Sequence, residues 1–211
     1  MIDCEILLVA DSLSDHSICD CCGLNQPSSK VVVSRGNPSA RLMLIGEAPG
    51  ASEDALGEPF VGRSGKLLDQ LCLDVGINPS EDLYICNAVK CRPPKNRRPS
   101  KDELFSSLPW LTQQIKLVDP LVIVLAGSSA VEAVLGVKDK ISAIRGSWKP
   151  WQGRMVMPLF HPSYLLRNPS RVEGAPIALT LGDLVKVKQR LKELKEAMDV
   201  SMLCSEKGCN L

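Results

Sequence analysis

The residues whose types could do chemistry lie in short polar stretches that directly follow apolar runs. The first stretch, residues 46–50, reads GEAPG and places the carboxylate of Glu47 in a turn built from glycine and proline. Two further acids follow, Glu53 and Asp54, and then the segment PFVGR, which carries Phe60. An acid on a turn at a strand end, with an aromatic ring close by, is typical of ligand pockets in α/β proteins. Taken alone, the stretch fits an ordinary strand-to-helix connection with a solvated acid equally well.

Two later stretches share this arrangement. NAVKCRPP begins at Asn87, after the apolar run 83–86, and HPSYLLR begins at His161, after the run 155–160. The carboxyl ends of parallel strands meet at one edge of a sheet, where open α/β proteins bind their ligands. We therefore expect Glu47, Asn87 and His161 to line one crevice.

The chain contains nine cysteines, which raises the question of metal binding. It begins with an acidic segment that lacks the basic start and the cleavage site of a secretory signal, so we expect a cytoplasmic protein. A reducing compartment disfavours a disulfide framework. Cys19 and Cys22 have the C-x2-C spacing that lets two thiolates bind one metal ion or one iron–sulfur corner. A loop with surplus thiols would show the same spacing.

The segment 88–99, here called the basic loop, is the most basic part of the chain. Its prolines and its lack of periodicity predict a loop, and it contains no acid. The whole chain carries a net charge of only +1, so a polyanion would have to be held by a local basic patch of this kind. The cations of the basic loop are Lys90, Arg92, Lys95, Arg97 and Arg98.

The elements that must position these residues follow from the apolar pattern. Strands are predicted at 42–45, 83–86, 121–125 and 155–160. Helices are predicted at about 65–75, 101–118, 128–135 and 181–198. Strands that alternate with helices predict an α/β fold, a three-layer α/β/α sandwich with a central, mainly parallel four-stranded sheet.

The length of the chain suits one domain. We expect a single domain over residues 1–211, with an ordered core of about 19–198 and a flexible tail over 199–211. No apolar run approaches the length needed to cross a membrane. We also expect a monomer.

Together these stretches resemble the family 4 uracil-DNA glycosylases, the bacterial and archaeal iron–sulfur type. Each motif alone is weak, whereas the ordered set is highly specific and spans the chain from about residue 19 to the last helix. The resemblance implies hydrolysis of the N-glycosidic bond between uracil and deoxyribose in DNA. The motifs are C-x2-C-x-L at 19–24, GEAPG at 46–50, PFVGR at 59–63, NAVKCRPP at 87–94, RG at 145–146 and HPSYLLR at 161–167.

The resemblance implies catalytic and reading roles for the three strand-end residues. His161 would stabilise the negative charge that develops on uracil O2 as the bond breaks. Glu47 would orient water or stabilise the cationic sugar. Asn87 would read the uracil edge, because one planar amide can accept from N3–H and donate to O4.

A base inside a duplex must be flipped out of the stack before it can react. The resemblance implies that Phe60 stacks on the flipped ring. Gly46 and Glu53 would lie beside it in the pocket wall, where Glu53 would help to exclude the thymine methyl group. Leu165 would fill the gap left in the base stack, and its neighbour Leu166 is an additional candidate for that role.

The implied contacts with the DNA backbone come from the basic loop and from the last motif. Backbone amides around Ser163 would bind a phosphate together with its hydroxyl group. The full set of implied backbone contacts is Lys90, Arg92, Arg97, Arg98, Ser163 and Arg167.

The resemblance further implies a 4Fe–4S cluster, for which three of the family's four cysteine ligands match at Cys19, Cys22 and Cys91. The fourth position, in the helix after NRRP, is occupied here by Ser107. We expect a cluster held by three cysteines, with Ser107 or a neighbouring thiol near the fourth iron. The neighbouring thiols are Cys21 and Cys86.

Ser107 also supports a different interpretation, a non-catalytic or redox-sensing DNA-binding protein that retains the fold. The presence of all three residues, Glu47, Asn87 and His161, disfavours this interpretation, because a non-catalytic protein has no need to keep the full set. A covalent variant of the superfamily, which traps its own DNA product, needs a reactive histidine in an inserted loop. No histidine lies between His16 and His161.

Overall fold

The computed structural model describes residue 24 and residues 30–206, except for the side chains of 201–206. Its centre is a six-stranded sheet with the order β1-β3-β2-β4-β6-β5. The strands are β1 Arg35–Gly36, β2 Leu42–Gly46, β3 Leu83–Asn87, β4 Val122–Ala126, β5 Lys149–Trp151 and β6 Arg154–Leu159. The helices are α1 Ala51–Leu56, α2 Arg63–Asp74, α3 Lys101–Val118, α4 Ser128–Leu135, α5 Ile141–Ile144, α6 Pro162–Arg167 and α7 Pro176–Glu206.

The four central strands are parallel, as the sequence predicts. β2 pairs with β3 on one side and with β4 on the other, and β4 pairs with β6. The edge strands β1 and β5 run antiparallel and were not predicted. They contain two and three residues, too few to show an apolar period. The α/β class and the mainly parallel sheet are confirmed, and the sheet has six strands in place of four.

Helices cover both faces of the sheet, which explains why β2, β3 and β4 are buried along their full length. Met43 and Ile45 of β2 pack in a core cluster with residues of α3 and α4. The alternate residues, Leu42 and Leu44, pack in a second cluster with residues of α2 and α7. The three-layer arrangement is therefore confirmed.

The bounds of two helices show where local signals suffice and where they do not. α3 begins at the predicted residue because Ser100 and Glu103 form a capping box, in which each side chain accepts a backbone N–H of the other. α7 runs to Glu206 and so extends into the segment expected to be a flexible tail. Within residues 30–206, no helix is both long and apolar enough to cross a membrane.

Candidate active site

A cavity of about 230 Å³ lies beyond the carboxyl ends of the parallel strands. This volume falls below the ~300–1,000 Å³ of sites for drug-sized ligands, so it suits a small ligand. The predicted convergence of the three polar stretches is confirmed. The cavity lining includes Glu47, Glu53, Phe60, Asn87, His161 and Ser163.

One wall of the cavity is formed where β2 ends. A Cβ atom on Gly46 would overlap both the Oδ1 atom of Asn87 and the Cζ atom of Phe60. Phe60 has a φ of +56°, a conformation that non-glycine residues seldom adopt, and a Cβ on Gly65 would overlap its carbonyl group. The two glycines thus let an aromatic ring and an amide approach each other closely at the cavity.

Glu53 holds this wall together. Its Oε1 atom accepts the backbone N–H of Gly62 at 2.8 Å, and its Oε2 atom accepts that of Gly50 at 3.1 Å. The side chain is 9% exposed. Because each carboxylate oxygen already accepts from the backbone, Glu53 joins the GEAPG turn to the PFVGR segment and lines the cavity as a fixed group.

The hydrogen bonds of His161 determine which of its ring nitrogens carries the proton. Nδ1 accepts the backbone N–H of Ser163 at 3.2 Å and lies 2.8 Å from its hydroxyl oxygen. A nitrogen that accepts has no proton, so Nε2 carries it in the neutral ring. Burial lowers the pKa of His161 below its ordinary value, so the ring is neutral at neutral pH. The site therefore contains a neutral imidazole with an Nε2–H donor.

The carboxylate of Glu47 has a partner that the sequence did not reveal. Its Oε2 atom accepts from the hydroxyl group of Ser129 at 2.5 Å. Ser129 is fully buried near the start of α4, directly beyond the end of β4. The signal was present in the Gly127-Ser128-Ser129 segment, since the other three parallel strands also end in polar residues.

The prediction that Lys90 contacts the DNA backbone is wrong. Its side chain is 1% exposed, and Nζ donates to the backbone carbonyl of Asn87 at 2.5 Å and to Oε1 of Gln114. Gln114 in turn donates to the hydroxyl group of Tyr84 at 2.9 Å. A buried ammonium needs such acceptors, and the interior beneath Asn87 supplies them.

The arginines of the basic loop lie at the surface and are paired. Arg97 donates to both oxygens of Glu103, at 2.7 and 2.6 Å. Arg98 donates to Ser129 at 2.9 Å and to Glu132 at 2.8 Å. Their side chains are 46% and 53% exposed, so phosphate contacts would have to compete with these pairs.

Arg92, the remaining predicted arginine, donates to Oδ1 of Asn96 at 2.7 Å and lies 3.7 Å from the carboxylate of Asp54. It is half-buried between the basic loop and α1. It thus has local partners, like the other two.

The HPSYLLR motif forms α6, and the helix separates its side chains by face. Leu165 is 1% exposed and packs in the core with residues of α2, so it cannot enter a base stack in this arrangement. The prediction that Leu165 acts as the wedge is wrong, because the helical period turns that position inward. Leu166 is only half-buried and Arg167 is exposed, so both can reach a ligand outside the protein.

Arg145, the first residue of the RG motif at 145–146, lies next to the segment that carries His161. Arg145 donates to the carbonyl of Leu179 at 2.9 Å and to the carboxylate of Asp183, both on α7. Its guanidinium also lies 5.6 Å from the ring centre of Phe160, the residue before His161. Arg145 thus ties α7 to the segment that carries the histidine.

The predicted cluster ligands are described only in part, because Cys19, Cys21 and Cys22 lie outside the described residues. Cys91 is fully buried, and Ser107 is 3% exposed on the inner face of α3. Among the residues that the structure describes, no group of three or more His, Cys, Asp or Glu side chains is arranged to hold a metal ion.

Comparisons with known proteins agree with this arrangement of residues. A family model, "Uracil DNA glycosylase superfamily", matches residues 33–185. A type-4 uracil-DNA glycosylase of Thermotoga maritima is 43% identical over 177 residues, which cover 83% of this chain and 90% of the relative. Type-4 enzymes of Saccharolobus solfataricus and Archaeoglobus fulgidus are 36% and 35% identical, over 91% and 85% of this chain and 89% and 94% of the relatives. The chain therefore belongs to the uracil DNA glycosylase superfamily and to its type-4 family.

Proposed function

We propose that this protein flips uracil out of DNA and hydrolyses its N-glycosidic bond, leaving an abasic site. The observation that carries the proposal is the convergence of Glu47, Phe60, Asn87 and His161 on one small cavity. The names of the relatives support the same activity. A non-catalytic DNA-binding protein would have no need for a carboxylate and a neutral imidazole in the same pocket.

Binding begins with a base that has left the stack, which costs a few kcal/mol. The ring of Phe60 supplies a flat apolar surface for it. The amide of Asn87 accepts from uracil N3–H and donates to O4. Cytosine presents the opposite pattern at these two atoms, so it would leave buried groups unpaired at about 1–3 kcal/mol each.

The bond breaks as negative charge moves onto the base and positive charge onto the sugar. The Nε2–H group of His161 donates to uracil O2, and such a donor contributes about 3–4 kcal/mol when its bond strengthens in the transition state. Glu47 stabilises the cationic sugar and orients the attacking water with the oxygen that Ser129 does not occupy, and it accepts the proton that the water loses as its oxygen bonds to C1′. The proton of Nε2 stays on the ring, because the leaving uracil anion is stabilised by the hydrogen bond.

The DNA backbone is held next to the cavity. The exposed guanidinium of Arg167 is the group that we assign to a phosphate, because the amides at the start of α6 already donate to His161. We assign the wedge role to Leu166, since it follows Leu165 in the motif and its side chain is partly accessible. Glu53 keeps a wall position where the methyl group of thymine would collide.

The direct test is incubation of a uracil-containing oligonucleotide with the protein, without added metal or nucleotide, followed by alkali and electrophoresis. We expect cleavage at the uracil position. Folded protein that binds the oligonucleotide but leaves no alkali-labile site would favour the non-catalytic interpretation and overturn the proposal.

We also propose that Cys19, Cys22 and Cys91 hold a 4Fe–4S cluster, with Ser107 beside the fourth iron. The fit rests on packing: Leu24, two residues after Cys22, lies in the same core cluster as Cys91. Leu104 and Leu111, one helical turn on either side of Ser107, lie in that cluster as well. Thiolates are the ligands of such clusters. When bound, the cluster would link the N-terminal segment to the basic loop.

The cluster proposal is tested by visible absorption and iron content of anaerobically purified protein. We expect a coloured parent protein and slower iron loss in air for Ser107→Cys, because a thiolate replaces a hydroxyl group. Ser106→Cys, one position along the same helix, is the matched control and should behave like the parent. A colourless, iron-free parent, or equal behaviour of the two variants, would overturn the proposal.

The cytoplasmic location and the monomeric state stay predictions. Cell fractionation and size-exclusion chromatography would test them.

A further inference from the structure

Ser129 lies between a side chain of the site and a side chain of the basic loop. Its hydroxyl oxygen is 2.5 Å from Oε2 of Glu47 and 2.9 Å from Nε of Arg98. The residue is fully buried, so no bulk water competes for the hydroxyl group. Three side chains thus form a continuous chain of hydrogen bonds: one directly after β2, one on α4 and one on the basic loop.

The chemistry of the three groups fixes the direction of both bonds. A guanidinium N–H can only donate, so the hydroxyl oxygen of Ser129 must accept from Arg98. The hydroxyl group has one hydrogen, and this hydrogen is left for Glu47, whose ionised carboxylate can only accept. Arg98 therefore donates a hydrogen bond to Ser129, and Ser129 donates one to Glu47.

Arg98 is held in this orientation by a second contact. Its Nη2 atom donates to Oε2 of Glu132 at 2.8 Å. Ser129 and Glu132 are three residues apart on α4, and such residues lie on the same face of a helix. Two residues on one face of α4 therefore accept hydrogen bonds from the guanidinium, although the side chain as a whole is 53% exposed.

We propose that Ser129 and Arg98 are positioning residues for Glu47, and that Arg98 serves this purpose and not the binding of a DNA phosphate. This inference rests on the proposed function and deepens it. With Oε2 held by Ser129, the carboxylate has less rotational freedom, and Oε1 is the oxygen left to act on the reacting atoms. A misplacement of about 1 Å at a reacting centre can lower the rate by about 10²-fold.

The test measures two quantities for each variant: the single-turnover rate of uracil excision, and the Kd for an oligonucleotide whose 2′-fluorinated uracil nucleotide resists cleavage. We expect Ser129→Ala to lower the rate by about tenfold or more and to change the Kd by less than about twofold. Ser128→Ala, the exposed neighbour on α4, is the matched control and should keep the parent rate. An unchanged rate for Ser129→Ala in an active parent would overturn the inference alone, whereas an inactive parent would overturn the proposed function as well.

Arg98→Lys separates positioning from phosphate binding. Lysine keeps the charge that a phosphate contact needs but lacks the Nε–H donor and the planar fork. We expect Arg98→Lys to be as slow as Arg98→Ala, with the salt dependence of DNA binding unchanged in both. Arg41→Ala, which breaks an exposed pair with Asp119 at the opposite end of the strands, controls for the loss of a surface ion pair. Full rescue by lysine would overturn the positioning role of Arg98.

A double-mutant cycle excludes a merely structural effect. If Ser129 acts through Glu47, then Ser129→Ala should cause no further loss of rate in a Glu47→Ala background. An equal further loss in that background would show that Ser129→Ala damages the fold and would contradict the inference.

Discussion

The two segments that frame the cavity differ in how their side chains are used. In residues 46–65, which carry GEAPG and PFVGR, the polar and aromatic side chains line the cavity, as the sequence predicts. In the basic loop, residues 88–99, the cations predicted to face DNA turn inward or pair with acids. Lys90 is buried under Asn87, Arg97 pairs with Glu103, and Arg98 pairs with α4.

The difference teaches what a local sequence signal can determine. The geometry of residues 46–65 depends on glycines that permit close approach, and a glycine acts where it stands in the chain. The destination of a cation depends on which acceptors lie within reach, and some of these are far away in sequence. Gln114 follows Lys90 by 24 residues, and Glu132 follows Arg98 by 34.

The largest effect should come from His161 in the cavity. We expect His161→Ala to lower the single-turnover rate of uracil excision by about 10²–10³-fold, because the Nε2–H donor acts on charge that develops in the transition state. Affinity for uracil-free DNA should stay at the parent value. A parent-like rate would show that the imidazole does not face uracil O2.

The pH dependence of the parent follows from the same group. Burial lowers the pKa of His161 below the ordinary value of about 6.5, so the folded protein keeps a neutral ring as the pH falls through that value. We expect the single-turnover rate to stay level down through about pH 6.5 and to fall only below it. A clear inflection at about pH 6.5 would contradict the neutral assignment.

A substitution in the cavity wall should have the next largest effect. The Cβ atom of Gly46→Ala would overlap Phe60 and Asn87, and such overpacking costs about 1–3 kcal/mol. We expect a loss of uracil excision that exceeds the loss of stability, measured by single-turnover rate and urea unfolding. Gly182→Ala in α7 is the control, since its Cβ meets open space, and it should leave the rate unchanged.

Lys90→Met tests whether the buried cation of the basic loop serves stability and not DNA binding. It removes a buried donor from the Asn87 carbonyl and from Gln114, so we expect the free energy of unfolding to fall by about 1–3 kcal/mol. The salt dependence of binding to uracil-free DNA should not change. Lys95→Met, in the exposed part of the same loop, should leave stability unchanged and weaken DNA binding. If Lys90→Met lowered the salt dependence of DNA binding, Lys90 would contact the DNA backbone after all.

The smallest effect concerns Arg97. Glu103→Gln keeps the capping box of α3 but weakens the pair that occupies Arg97, leaving its guanidinium available to a phosphate. We expect slightly tighter binding to uracil-free DNA and a salt slope steeper by up to about one. Glu193→Gln on α7 removes the same charge far from the site. If both variants behave alike, Arg97 has no phosphate within reach.

Most of the fold was predictable because its signals are local. The four parallel strands are continuous apolar runs, and the start of α3 is marked by its capping box. The site was predictable where the polar residue lies at the end of a strand or just beyond it, as at Glu47, Asn87 and His161. Ser129 was missed because its polar segment, residues 127–129, is short and has no charged or aromatic residue. Leu165 was misplaced because the face of a short helix depends on what packs against it.

The central claim is that the cavity holds a flipped uracil read by Asn87. Its most direct test is base release in single turnover from three oligonucleotides that differ only in uracil, cytosine or thymine at one position, with the parent and with Asn87→Ala. We predict that the parent releases uracil alone, and that Asn87→Ala is slow and discriminates poorly between uracil and cytosine. Parent-like rate and selectivity for Asn87→Ala would contradict the account.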